Sequence, residues 1–165
     1  MFELFIIFKS CIEIFLYLYL GERMALSRQS KIIYLPVSSE LTKDEILSIA
    51  KKYNFQVFDL DSVKSQFQLN LAFYHAEKAF EQNSNISKDL MLEFLIRVAG
   101  ERQIKQAIEK VGVKNPKKLL IVFSPSVSNL SSEEIIKILK AKKIKWKQSD
   151  DSNEIQRMIE LQLDK

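Results

Sequence analysis

Apolar and polar positions along this chain fall into short blocks, each with its own period. Lys31-Ile32-Ile33-Tyr34-Leu35-Pro36-Val37 predicts a short strand, with Pro36 near its end where a missing N–H matters least. Thr42 followed three residues later by Glu45 writes a capping box, and Ile46, Leu47 and Ile49 supply the apolar face of a helix reaching about Tyr53. Phe55 to Leu60 reads as a second strand. From about Ser62 to Gln82 apolar residues recur at 63, 67, 71 and 74, with a second row at 69, 72, 73, 76 and 80. Two rows exceed one narrow stripe, so this helix is expected to be buried over much of its circumference.

Asn83-Ser84-Asn85-Ile86-Ser87 breaks the chain before a helix from about Asp89 to Ala99, where Leu90, Phe94, Leu95 and Val98 face the core. Glu93 and Arg97 stand one turn apart on it and can pair. Gly100 fits a left-handed cap. The next helix, about Arg102 to Val111, is expected to turn Ile104, Ala107, Ile108 and Val111 inward, with Gly112 and Val113 forming a Schellman ending over Ile108. Lys118 to Phe123 is a continuous apolar run of the kind a central, doubly covered strand shows. Ser131 and Glu134 form a second capping box, opening a helix through Leu139. Ile144 to Lys147 alternates as a short strand, and a final helix runs from about Asn153 to Leu163 with Ile155, Met158, Ile159 and Leu163 in its apolar row. The order β-α-β-α-α-α-β-α-β-α implies one α/β domain with a small mixed sheet packed with helices.

Composition narrows the chemistry. The 165 residues include three glycines, Gly21, Gly100 and Gly112, too few and too scattered for a dinucleotide fingerprint or a P-loop. With one cysteine, Cys11, and one histidine, His75, the standard zinc sites and an intrachain disulfide cannot be written. Charge is uneven. The formal net charge is +4, yet ten lysines between Lys110 and Lys147 face only Glu133 and Glu134, while the segment after Lys147 is acidic. Such a block supplies either a solvated surface or a phosphate-facing one whose binding would weaken with salt.

Phe2 to Leu20 is apolar and near the length of a membrane-spanning helix, but Glu3, Lys9 and Glu13 fall inside it. Each central charge costs about 2.5–3.5 kcal/mol on insertion. No basic region precedes the run and no small-residue cleavage pattern follows it, so it is a poor signal peptide. The expectation is a start-site artefact or dispensable extension over residues 1–23, and a functional domain over 24–165 beginning near Met24, in the cytoplasm with no stable membrane association.

Few residues invite chemistry. His75 has neither a cysteine nor a second histidine to work with, which favours a structural role over catalysis. Asp59 and Asp61 follow a strand, a common address for functional carboxylates, although Asp61 also reads as an ordinary cap of the next helix. Asn85-Ile86-Ser87 and Asn129-Leu130-Ser131 match the glycosylation sequon without a secretory route to use it. Trp146 lies between Lys145 and Lys147. On a strand, Trp146 and Ile144 point to the core and the lysines to solvent, which argues against an aromatic platform for stacking bases.

Between His75 and Gly112 the chain carries His75-Ala76, Asn85-Ile86-Ser87, the run Leu92-Glu93-Phe94-Leu95-Ile96-Arg97-Val98-Ala99-Gly100-Glu101-Arg102-Gln103-Ile104, and Ala107-Ile108. This segment resembles the small regulatory, kinase-binding subunit family of the KEOPS complex, the family of the eukaryotic PRPK-binding protein TPRKB, in its archaeal form. The strong part covers roughly 40 residues. The resemblance implies a non-catalytic protein without cofactors that docks on the small KEOPS kinase and touches the other subunits indirectly. It also implies binding of the single-stranded 3′ CCA end of tRNA, within a complex that installs threonylcarbamoyl groups on adenosine. Carried onto this sequence, the tRNA positions are Arg97, Arg102, Gln103 and His75; by analogy the kinase contact falls on Ile155, Met158 and Ile159. Arginine suits such a ligand because its guanidinium pairs with phosphate and stacks on bases. Two rival readings stand beside this one: a stand-alone basic nucleic-acid-binding module built on the 110–147 lysines, and a small carboxylate enzyme centred on Asp59.

Overall fold

A computed structural model describes residues 31–149 and 152–163. The leading segment, including the expected start at Met24, lies outside the described residues. Ten elements follow in the expected order: β1 (Ile33–Ser39), α1 (Lys43–Tyr53), β2 (Gln56–Asp59), α2 (Gln66–Glu81), α3 (Leu90–Ala99), α4 (Ile104–Val111), β3 (Leu119–Phe123), α5 (Ser132–Ile138), β4 (Ala141–Lys143) and α6 (Ser152–Leu163). Between β2 and α2 the chain makes a 3-10 turn at Leu60–Ser62, so the long helix starts later than its apolar rows suggest. Ser65, not Asp61, caps it, accepting from the Gln68 N–H at 3.2 Å.

The strands lie in the order β2-β3-β1-β4. All three pairings are antiparallel, so the sheet is antiparallel throughout and not mixed. β1 and β2 run in the same direction with β3 inserted between them, and that insertion removes the parallel contact that a β-α-β order suggests. β3 is the central strand anticipated from its composition, and every one of its residues is buried. Alternation along the strands feeds two cores. Leu35, Val37, Ile121 and Val57 point towards α1 and α5, whereas Ile32, Leu120, Val122 and Phe58 point towards α2, α3, α4 and α6. The larger core is keyed by Phe94, which meets Phe58 and Phe73 edge-to-face at centroid distances of 5.3 and 5.2 Å.

β4 falls three residues earlier than its hydrophobic alternation indicated. Ser39, Ser38 and Val37 pair with Ala141, Lys142 and Lys143, and the Ile144 N–H extends the contact to the Pro36 carbonyl at 3.0 Å. Backbone hydrogen bonding selects this strand, because its side chains are mostly lysines. Ile144 and Trp146 pack on the larger core just beyond it, as expected, and the Trp146 indole N–H donates to the Val63 carbonyl at 3.3 Å.

Candidate functional site

The signature segment folds into α3, a tight turn and α4. Asp89 opens α3 by accepting from the Leu92 N–H at 2.9 Å. At the other end Gly100 takes φ +63°, its N–H donating to Arg97 O while the Glu101 N–H reaches Ile96 O at 3.3 Å. These two bonds make a Schellman ending. A Cβ on Gly100 would also stand 3.3 Å from the Cβ of Arg157 on α6. Glycine therefore lets the turn both adopt a left-handed conformation and nestle against the last helix. Lys110 braces the turn from behind, its ammonium donating to the Ala99 carbonyl at 2.6 Å.

The turn opens a surface pocket of about 340 Å³ against α6. Arg102, Gln103 and Gln106 line one side, and Arg157 with Glu160 the other. Arg102 and Gln103 are exposed, as the expectation of a binding role requires. Gln103 is the N-cap of α4 but makes no side-chain cap, leaving the first-turn N–H groups of that helix without the acceptor a serine or aspartate would offer.

Arg97 and His75 lie elsewhere. Arg97 is 2% exposed, and its Nε and Nη2 both donate to Glu93 Oε1, at 2.9 and 2.6 Å. The other oxygen of Glu93, itself fully buried, accepts from the backbone N–H groups of Ile86 and Ser87 at 2.8 and 2.7 Å. One carboxylate thus ties the 83–88 loop to α3 while a guanidinium neutralises it. Satisfied on every side, the pair is an interior brace. His75 is buried in α2 behind it, and burial pushes its pKa down to about 4, with the positive charges of Arg97 and Lys78 adding to the effect. Neither side chain reaches the surface on which Arg102 stands, so direct contact of either with a ligand there is not what the fold provides.

On α6, Met158 is 2% exposed and belongs to the larger core, while Ile155 and Ile159 are half-buried against it. These three members of the apolar row are spent mainly inside the molecule. The reverse correction applies to α4. Ala107 and Val111 face inward, but Ile104 and Ile108 are 38% and 45% exposed. At eight residues α4 packs chiefly on α3, and its two isoleucines overhang the edge of that contact. Gly112 does not adopt the left-handed cap; at φ −70° it is extended, and it is glycine because a Cβ would collide with the Ile108 carbonyl. Ile104, Ala107, Ile108 and Val111 fall within one ordinary amphipathic stripe, so helical spacing alone does not reveal that two of them stay exposed.

Asp59 closes the turn after β2, accepting from the Ser62 hydroxyl at 2.8 Å, and is 6% exposed. Asp61 pairs with Lys118 at 2.8 Å. Among the described residues no group of three or more His, Cys, Asp and Glu is placed to hold a metal ion, and no helix is long and apolar enough to cross a membrane.

The molecule is thus a small α/β scaffold with a polar turn pocket and an exposed apolar helix edge beside it. The chain belongs to the CGI-121 family: residues 37–163 match the family described as Kinase binding protein CGI-121. It is also similar to the KEOPS complex subunit Cgi121 of Pyrococcus abyssi (strain GE5 / Orsay), at 32% identity over 99 residues. That alignment spans 60% of this chain and 57% of the relative's length.

Proposed function

We propose that this protein is a non-catalytic accessory subunit of a KEOPS-type assembly, one that docks on the small protein kinase of that assembly and holds the 3′ CCA end of tRNA. The observation that carries the reading is the family match across both halves of the signature, with its second half at the surface. Arg102 and Gln103 are the RNA-facing residues, and Gln106 and Arg157 complete the pocket beside them. A cleft of this polarity suits an unpaired terminal nucleotide, because guanidinium groups engage both phosphate and base faces. The kinase contact belongs on α4. Ile104 and Ile108 are the exposed apolar residues of that helix, and burying them against another protein removes apolar surface from water. Ile155 and Ile159 lie on the half-buried flank of α6 and extend the same role only at the margin.

Purification of the full chain from native extract tests the assembly. Co-purification of a small kinase together with other subunits supports the reading. Recovery of the protein alone with bound nucleic acid contradicts it and favours the stand-alone basic module. Binding of tRNA with and without its CCA end, measured on the same material, tests the ligand; equal affinities would exclude the turn pocket as a CCA site.

A further inference from the structure

The ten lysines between Lys110 and Lys147 fall into two groups that the sequence does not separate. The first group is engaged with the fold. Lys110 donates to the Ala99 carbonyl, Lys114 to the Ser62 hydroxyl at 2.9 Å, Lys117 pairs with Glu40 at 2.8 Å and Lys118 with Asp61 at 2.8 Å. The second group comprises Lys137, Lys140, Lys142, Lys143, Lys145 and Lys147. All six are exposed, and among the described residues none takes part in an ion pair. Glu40 pairs with Lys117 and also feels Lys142, Glu45 feels Lys140, and Glu45 and Glu134 close the capping boxes of α1 and α5.

These cations also share a place. Lys142 and Lys143 belong to β4, an outer strand of the sheet, and Lys145 and Lys147 continue from it. Lys143, Lys145 and Lys147 alternate with Ile144 and Trp146, which pack on the core and so hold the segment extended against the domain. The result is an outer segment whose alternate residues Lys143, Lys145 and Lys147 are exposed, with Lys142 beside them on the same strand. No large apolar side chain is exposed between Lys137 and Ser149, so the segment has nothing to insert into a bilayer. Its Trp146 is turned inward and offers no stacking platform. Charge without apolar or aromatic anchors fits a polyphosphate backbone read without regard to sequence.

We propose that the β4 edge, from Lys137 to Lys147, is a second RNA contact that holds the phosphate backbone independently of the CCA end. It rests on the tRNA reading above for the identity of the RNA, and its chemistry is separate from that of the turn pocket. The test uses the full chain and two triple variants, each losing three positive charges. One is Lys143→Gln, Lys145→Gln and Lys147→Gln; the control is Lys43→Gln, Lys51→Gln and Lys88→Gln, exposed lysines on other elements. Affinity is measured for tRNA and for CCA-less tRNA from about 50 to about 200 mM salt. Each lost phosphate contact removes roughly 0.7–0.9 from the slope of log affinity against log salt, so the edge variant should lose about 2 to 3. At the lowest salt it should bind about tenfold or more weakly, equally for both RNAs, while the control stays close to the unmodified chain.

An unchanged slope in the edge variant overturns the proposal, as does an equal loss in the control, which would show a response to net charge alone. Capture of the unmodified chain by phosphatidylserine vesicles as tightly as by tRNA, lost in the edge variant, would assign the edge to a membrane and overturn it as well. Failure of the CCA reading looks different: removing the CCA end has no effect while the edge variant still loses its slope. Melting curves verify folding; were the triple variant unstable, single Lys145→Gln and Lys147→Gln changes, outside regular strand, carry the same expectation at about one slope increment each.

Discussion

Two halves of one sequence signature meet very different fates. Glu93 and Arg97, in its first half, are sealed in the interior of α3, while Arg102, Gln103, Ile104 and Ile108, in its second half, stand at the surface. Gly100 is the hinge between them. The first half builds the platform: a carboxylate that gathers two loop N–H groups and a guanidinium fixes how α3 meets the 83–88 loop. The second half presents what that platform holds. A shared motif therefore carries no single role: one of its arginines is an interior brace and the other stands exposed at the surface.

The interior half is the more sensitive to substitution, and the brace most of all. Arg97→Ala leaves a fully buried carboxylate without its counter-charge, which should cost about 3–5 kcal/mol and lower the melting temperature steeply. Thermal unfolding of that variant should show the loss before any ligand is added. If Arg97→Ala melts like the unmodified chain, the interior role is wrong.

His75 extends the same argument to pH. Its ordinary pKa of 6.5 falls to about 4 in the fold, so the folded state binds fewer protons than the unfolded state between those values. Stability on this account is fully present above about pH 6.5, is lost progressively as pH falls to about 4, and levels off below that for this group. The full shift corresponds to about 3 kcal/mol. Denaturant titrations of the unmodified chain and of His75→Gln across that range should differ in slope, with the variant flatter.

Gly100→Ala should cost about 1–2 kcal/mol, because a side chain is forced into the left-handed region and against α6. At the surface the expected effects on stability shrink nearly to nothing. Arg102→Glu should leave the melting temperature within a few degrees while weakening tRNA binding by more than the loss of any one lysine between Lys137 and Lys147, and removing the CCA end should cost nearly as much. Met158→Glu, by contrast, should unfold the domain, since that side chain is core. The smallest effect is expected from deleting residues 1–23: by the composition of that stretch, Met24 to Lys165 should keep the stability of the full chain, measured by thermal melting.

The order of elements was legible because capping boxes, glycine caps and hydrophobic periods each mark boundaries locally. Strand pairing was not. Nothing in the β1-α1-β2 stretch announces that β3 will insert between its strands, and β4 is chosen by backbone bonds to Ser39, Ser38 and Val37 that leave no trace in a run of lysines. Burial within the signature was half legible. The Glu93–Arg97 spacing indicates a pair, but whether the pair is wet or dry depends on the loop whose N–H groups close over it. Likewise the inward face of α4 depends on how many neighbours cover it, a tertiary property that a helical period does not contain.

In the function proposed above, the exposed half of the signature is the partner-binding surface. Calorimetric titration of the small kinase against the unmodified chain and against Ile108→Glu, with melting curves taken on both proteins, tests it most directly. That role predicts kinase affinity reduced by two orders of magnitude or more, as for a charge placed in a desolvated contact, with the melting temperature changed by no more than a few degrees. Undiminished kinase affinity in Ile108→Glu would contradict it.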